Sequence, residues 1–240
     1  MVKFRDLKPL YFEMSQVTTL TFFTFNKNKF WAFKQMGTVH VRMKNVLGLQ
    51  FYKFLGTGGG SGFSLSPDFS AYAFLAVWND ISNYQNFIKE HPVFLKYKKN
   101  SNTQRDLILK PVKSHGKWNG INPFNHNEDT LNNKNLKAVV ITRATLKWNR
   151  LFSFWRAVPA ASKAIIQAKG VLFYKGIGEW PFIQQATVSI WKNFEAVNTF
   201  AYKGKQHATI VRKTREKKWY KEDLFSRFYL LSDTTIKSVE

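Results

Sequence analysis

Apolar and polar positions along the chain alternate between two periods, and the order of the changes is informative. Val17–Phe25 is a run of β-branched and aromatic residues that reads as a strand, and Lys29–Met43 spaces its apolar positions helically. Leu49–Leu55 and Ala71–Trp78 return to strand character, and Ser82–Tyr97 is again helical. The second half repeats the series. Lys137–Leu146 is strand-like, and Asn149–Ala168 has helical spacing, with Asn149 placed to cap it and Gly170 to stop it. Val171–Ile177 and Gln184–Trp191 flank a turn containing Pro181, Phe194–Lys217 is helical, and Leu224–Leu231 alternates as a last strand. Each half reads βαββαβ, the split βαβ unit. Between them Lys113–Asn135, rich in Asn, Gly and Pro, reads as the exit of a fourth strand followed by a linker.

The halves also repeat in sequence. Phe51-Tyr52-Lys53-Phe54-Leu55-Gly56 recurs as Phe173-Tyr174-Lys175-Gly176-Ile177-Gly178, a shift of 122 (51 to 173) that also carries Phe30 onto Phe152, Phe33 onto Trp155 and Lys34 onto Arg156. Further on, Trp78 and Phe87 match Trp191 and Phe200 with a shift of 113 (78 to 191), the difference falling in the Gly-rich stretch after Gly56. The expected architecture is α+β: two tandem ferredoxin-like units, residues 1–132 and 133–240, packed sheet to sheet as a single-chain α/β barrel.

Composition narrows the class. The 240 residues are 44% apolar, too many for a disordered basic chain, yet the formal net charge is +22. The excess is spread over both halves, so a nucleic acid, an anionic lipid surface and an acidic partner are all electrostatically suitable. With no Cys, disulfides, thiolate metal sites and Cys nucleophiles are excluded. Met1–Asp6 has no apolar run behind its charges, and the longest strongly apolar run, Ala71–Trp78, is too short for a bilayer span. The expected location is cytoplasmic, with visits to the inner membrane surface.

Residue patterns alone give little catalytic signal. The loop Gly56–Phe63 has neither the Gly-Lys-Ser/Thr of a P-loop nor G-x-G-x-x-G spacing, and a strand rather than a helix follows it, so it reads as a hairpin loop. No G-x-S-x-G, H-E-x-x-H or paired-carboxylate pattern occurs. The five histidines, at 40, 91, 115, 126 and 207, lack the short spacing of a zinc site. A single-histidine haem ligand stays open, as does an ordinary helix-start role for His207.

Several blocks resemble the spheroidene monooxygenase family: Phe30–Gly37, Phe51–Phe63 with Ala71–Trp78, Phe154–Pro159, Gly176–Pro181 and Phe200–Phe228. Together they cover roughly residues 17–110 and 137–230. The resemblance implies a haem b oxygenase that places a keto group on a carotenoid, with a duplicated ferredoxin-like fold similar to that of chlorite dismutases, dye-decolourising peroxidases and aldoxime dehydratases. In such relatives the proximal His lies on a helix of the C-terminal copy, and His207 is the only His of that half. The same resemblance implies a pocket between that helix and the C-terminal sheet. Its catalytic side would be lined by the polar stripe Gln185, Thr187 and Ser189 and by Arg143, a cation for iron-bound oxygen whose alternative is an ion pair. Arg215 and Arg156 would meet the propionates, and Trp155 and Trp219 would flank the porphyrin, with solvated cations and core packing as the plain readings. The Lys-rich composition is not something the family pattern requires.

Three functions follow for comparison. The leading one is a haem monooxygenase acting on an apolar substrate, served by an electron donor such as ferredoxin. The others are a haem carrier or another haem enzyme such as an aldoxime-dehydratase-like lyase, and a basic nucleic-acid-binding module, which lacks any recognised signature here.

Overall fold

Two strands of β-branched and aromatic residues lie at the centre of two like sheets, and every other element is arranged around them. The computed structural model describes residues 15–60, 66–125, 136–203 and 216–237. The first half runs β1 (Val17–Thr24), α1 (Lys29–Thr38) with a 3-10 extension Val39–Met43, β2 (Leu49–Gly58), β3 (Pro67–Trp78), α2 (Ile81–Glu90), α3 (Pro92–Asn100) and β4 (Thr103–Gly116). The second runs β5 (Ala138–Leu146), α4 (Leu151–Ile166), β6 (Val171–Trp180), β7 (Gln184–Trp191), α5 (Phe194–Asn198) passing into a π turn Thr199–Lys203, and β8 (Tyr220–Lys237).

All eight strands form one closed antiparallel barrel in the order β1-β3-β2-β6-β7-β5-β8-β4. Read by halves, this is β4-β1-β3-β2 joined to β6-β7-β5-β8, the ferredoxin-like order twice. The halves meet along their edges as well as through the barrel interior, so no strand edge is left open. One seam is long, β4 against β8 from Thr103↔Lys237 to Gly116↔Leu224. The other is short: β2 meets β6 only at Gly56↔Gly178 and Thr57↔Ile177. Gly56 and Gly178 are the residues that the 122-residue repeat equates, so this seam lies on the pseudo-twofold relating the halves.

Strand alternation separates two apolar layers. Leu20, Leu75, Leu107, Val139, Ile141, Val188 and Phe228 fill the barrel, each worth about 1.5–3 kcal/mol of burial. The opposite faces lie under the helices. The helix expected over Ser82–Tyr97 is two helices, because Pro92 has no N–H to give and holds His91 in an extended conformation (φ −73°, ψ 126°). Asp80 caps α2 by accepting from the Asn83 N–H at 3.0 Å; β2 runs on to Gly58 and pairs antiparallel with β3 as far as Gly58↔Pro67, while residues 61–63 of the Gly-rich stretch lie outside the described residues. Among the described residues no helix is long and apolar enough to cross a membrane.

Candidate active site

The two helix-facing layers are built on the same plan and filled differently. Counting each register from its terminal tryptophan, Val17↔Trp78 corresponds to Ala138↔Trp191, so Phe23↔Tyr72 corresponds to Ala144↔Gln185 and Thr21↔Phe74 to Thr142↔Thr187. On the neighbouring strand pair, Phe54↔Phe74 corresponds to Gly176↔Thr187. The N-terminal half thus buries four rings, Phe23, Phe54, Tyr72 and Phe74, where the C-terminal half has Ala144, Gly176, Gln185 and Thr187. In the first half Phe54 stacks on Phe74 at 4.6 Å, and a single continuous apolar cluster covers the sheet. In the second the described residues form two separate clusters, one around Phe154, Trp155 and Trp219 and one around Val140, Trp191 and Val197. An aromatic side chain buries about 150–250 Å², so the exchange removes much of the ring surface that packs this layer in the other half.

What replaces the rings is polar. The Thr142 and Thr187 hydroxyls bond each other at 2.7 Å, and Ser189 Oγ accepts from Trp191 Nε1 at 2.8 Å. Gln185 donates to the Trp180 carbonyl at 3.2 Å. Across from Ser189 stands Tyr174, whose phenol is pushed up to about 12 by burial, partly offset by a hydrogen bond with Ser162. Gly176 and Gly178 face Thr187 and Gln185, so this part of the floor carries no side chains. The floor continues across the seam to Gly56 and Gly58 as a cleft of about 170 Å³, walled by Phe33, Phe69, Trp155 and Phe182. A Cβ on Gly178 would lie 2.8 Å from the Gln184 carbonyl oxygen, which requires glycine there.

Arg143 does not join this stripe. Successive strand residues point to opposite faces, and Arg143 lies beyond Val139 and Ile141 on the barrel side of β5. Its side chain is 1% exposed and pairs with Glu222, donates to Asn119 Oδ1 at 3.0 Å and lies 3.9 Å from Glu179. Glu179 also takes Lys53 at 2.5 Å and the Trp118 indole N–H at 2.6 Å. Burial would raise the Glu222 carboxyl, but N–H bonds from Gly120 and Asn119 and the Arg143 charge outweigh it and hold it below the usual carboxylate range. Arg143 therefore ties the 117–122 loop into the barrel mouth, and the shared pocket expected for Arg143 and Gln185–Ser189 is corrected: they lie on opposite faces of one wall.

Among the described strand residues, a cation on the helix-facing side is Arg227, opposite Val140 on β8. It donates to Asn198 Oδ1 at 3.0 Å and lies 5.4 Å from the Phe225 ring. Its Nε is buried with no hydrogen-bond partner among the described residues. The signal was available in the sequence: Leu224, Ser226 and Phe228 alternate with Phe225, Arg227 and Tyr229.

Comparison with known proteins decides the family. The chain is 33% identical over 219 residues to spheroidene monooxygenase of Cereibacter sphaeroides, covering 90% of this chain and 67% of that protein. It is 30% identical over 217 residues to the same-named enzyme of Rhodobacter capsulatus, covering 90% of each. The chain belongs to the spheroidene monooxygenase family. As a family member it is a monooxygenase, an oxidoreductase. No protein-family model matches the chain. Two solved structures share the fold: an aldoxime dehydratase in complex with butyraldoxime (TM-score 0.59, 8% identity, 92% of this chain and 82% of that one) and a second aldoxime dehydratase (TM-score 0.59, 10% identity, 94% and 86%).

The remaining residues expected at the site of this spheroidene monooxygenase family member are distributed unevenly. Trp155 lines the cleft and donates to the Phe182 carbonyl at 3.0 Å. Trp219 is core, donating to Ser153 Oγ at 3.0 Å with Phe154 5.6 Å away. Arg156 is exposed on α4 in a recess shared with Trp148, Phe152 and Phe182. His207 and Arg215 lie outside the described residues, as does His126. Among the described residues no three His, Asp or Glu side chains gather as metal ligands.

Proposed function

We propose that the protein is a haem-dependent monooxygenase that oxidises an apolar polyene of the carotenoid class, in the space over Ala144, Gly176, Gln185 and Thr187. The observation that carries this reading is the internal repeat. The registers that equate Phe23↔Tyr72 with Ala144↔Gln185 and Phe54↔Phe74 with Gly176↔Thr187 put small or polar residues where the other half buries four rings. His207, the histidine of the C-terminal half, is the residue that the family resemblance assigns to the iron. Two features suit a haem there: the loss of four buried rings from this layer, and an Arg227 Nε that is buried with no hydrogen-bond partner among the described residues.

Haem held by a neutral His207 nitrogen would supply the one-electron and dioxygen chemistry that no side chain of this cysteine-free chain supplies. The protein's own contributions are separate. Arg227 and the Gln185 amide offer hydrogen bonds where negative charge develops on oxygen, worth on the order of 3 kcal/mol in a dry site. Trp155 and Phe182 keep water from the cleft, and the glycine floor accepts an extended chain. Arg156 and Arg215 are suited to the propionates. Inserting one oxygen atom consumes O2, two electrons and two protons and releases water. Converting a methylene to a ketone takes two such rounds and then loss of water from the geminal diol, so an electron donor such as ferredoxin is required.

The purified protein should show a Soret band near ~400–420 nm that His207→Ala abolishes or shifts. Supplied with reductant and O2, it should exchange two hydrogens of a linear polyene for one oxygen. Haem that reduces and binds carbon monoxide without any polyene oxidation would instead indicate a carrier or an aldoxime-dehydratase-like lyase. Absence of haem uptake with tight oligonucleotide binding would indicate the nucleic-acid module.

A further inference from the structure

The rim of the seam cleft combines two features that rarely coincide. The first is a set of exposed aromatic residues from both halves. Phe30, one helical turn before Phe33 on α1, is 80% exposed; Phe152, its partner in the repeat, is 83% and Trp148 71% exposed, and these two share a recess with Phe182. Phe33 and Phe182, about half exposed, continue the patch across the cleft mouth, where Phe33 meets Phe69 edge to face at 5.8 Å. Large exposed aromatics gathered on one face mark an interaction surface.

The second feature is charge of one sign. Residues 14–67, which contain β1, α1 and β2, carry six Lys or Arg and no Asp or Glu. Residues 130–178, which contain β5, α4 and most of β6, carry nine and none. Lys29 and Lys34 on α1 and Arg150 and Arg156 at α4 are exposed and make no ion pair among the described residues. The two acids that line the cleft are already matched inside it, Asp68 by Lys175 and Glu179 by Lys53. Aromatic rings set among unpaired cations suit the headgroup level of an anionic bilayer, where rings sit at the interface and cations meet phosphate.

We infer that this face docks the protein on an anionic phospholipid bilayer, with Phe30, Phe33, Trp148, Phe152 and Phe182 at headgroup depth and the cleft mouth opening onto the lipid. The inference needs neither haem nor turnover, so its failure and the failure of the proposed activity are distinguishable.

The test is co-sedimentation with vesicles of phosphatidylglycerol and phosphatidylcholine in equal amounts, against phosphatidylcholine alone. Wild type should bind only the anionic vesicles, and salt should release it. Lys34→Gln with Arg150→Gln should weaken binding about thirtyfold, from roughly 1 kcal/mol per cation near the surface. Lys96→Gln with Lys221→Gln, the same charge change at exposed sites away from the cleft, should weaken it far less. Phe30→Ser with Phe152→Ser should weaken it at least about tenfold at unchanged charge and unchanged melting temperature. Equal losses in the two charge variants would overturn the inference, leaving only diffuse attraction. So would unaltered binding in the Phe variant, or a change from dimer to monomer in that variant without lipid, which would make the face a contact between two copies.

Discussion

Replacing Arg143 by Met separates the barrel network from the chemistry outside it. The side chain is 1% exposed, and Glu222 and Glu179, its carboxylate neighbours, are 23% and 16% exposed. Removing one partner of a buried pair costs about 3–5 kcal/mol because the other charge is left uncompensated. Glu222 keeps its bonds from Asn119 N–H at 2.9 Å and Gly120 N–H at 2.7 Å, and Glu179 keeps Lys53, so the low end, about 3 kcal/mol, applies. For a chain of this size that is about 6–12 °C in Tm. The pH dependence has a definite sign. The Glu222 carboxyl is held down in the folded state, so its contribution is present above the unfolded carboxylate pKa and is lost as pH falls through the folded one. Arg143→Met should shrink that acid-side loss. Thermal melts between neutral and acid pH, with polyene oxidation measured per bound haem, read both effects: reduced stability and near-normal turnover. Arg227→Met should do the reverse, with a small change in Tm and about a hundredfold loss of turnover. A stable but inactive Arg143→Met, or a fully active Arg227→Met, would refute the division between the two faces.

Two further outcomes follow from the same geometry. Arg105 binds Asp233 through two bonds of 2.8 Å and, with some opposition from burial, holds its carboxyl below the usual range; in urea titrations Asp233→Asn should therefore lower stability at neutral pH, with the difference from wild type shrinking as pH falls below the unfolded pKa of about 4 and vanishing only below the lowered folded one. Gly176→Phe with Thr187→Phe restores the stacked pair that Phe54 and Phe74 form in the other half; it should fold, keep the barrel spectrum by circular dichroism and lose haem uptake, and undiminished uptake would place the cofactor elsewhere.

Much of this was legible in the sequence, because duplication and periodicity are local signals. The two copies, the order of strands and the strand placement of Gln185, Thr187 and Ser189 needed only spacing; most of the helix expected over Phe194–Lys217 lies outside the described residues. The Pro92 break in the second helix was equally readable, since a proline excludes helix at the residue before it. Arg143 was misjudged for a local reason too: counted by twos from Val139 and Ile141, it falls on the barrel side. The closure of the barrel was less accessible. The β2–β6 seam holds only two residue pairs, and nothing in the pattern of either strand announces that Gly56 and Gly178 meet.

Duplication also explains why chemistry and packing divide between the halves. Two copies of one layer cannot both be emptied without loss of core, since each buried ring contributes about 1.5–3 kcal/mol. Here the N-terminal layer keeps Phe23, Phe54, Tyr72 and Phe74 in a continuous cluster with Trp78 and Phe87. The C-terminal layer gives up the four equivalents, and among the described residues it forms two separate clusters. The shared barrel interior couples them, because β4 and β8 pair along their length. The packed half thereby holds the geometry of a sheet face that, in the other half, has exchanged aromatic core for glycine, threonine and glutamine.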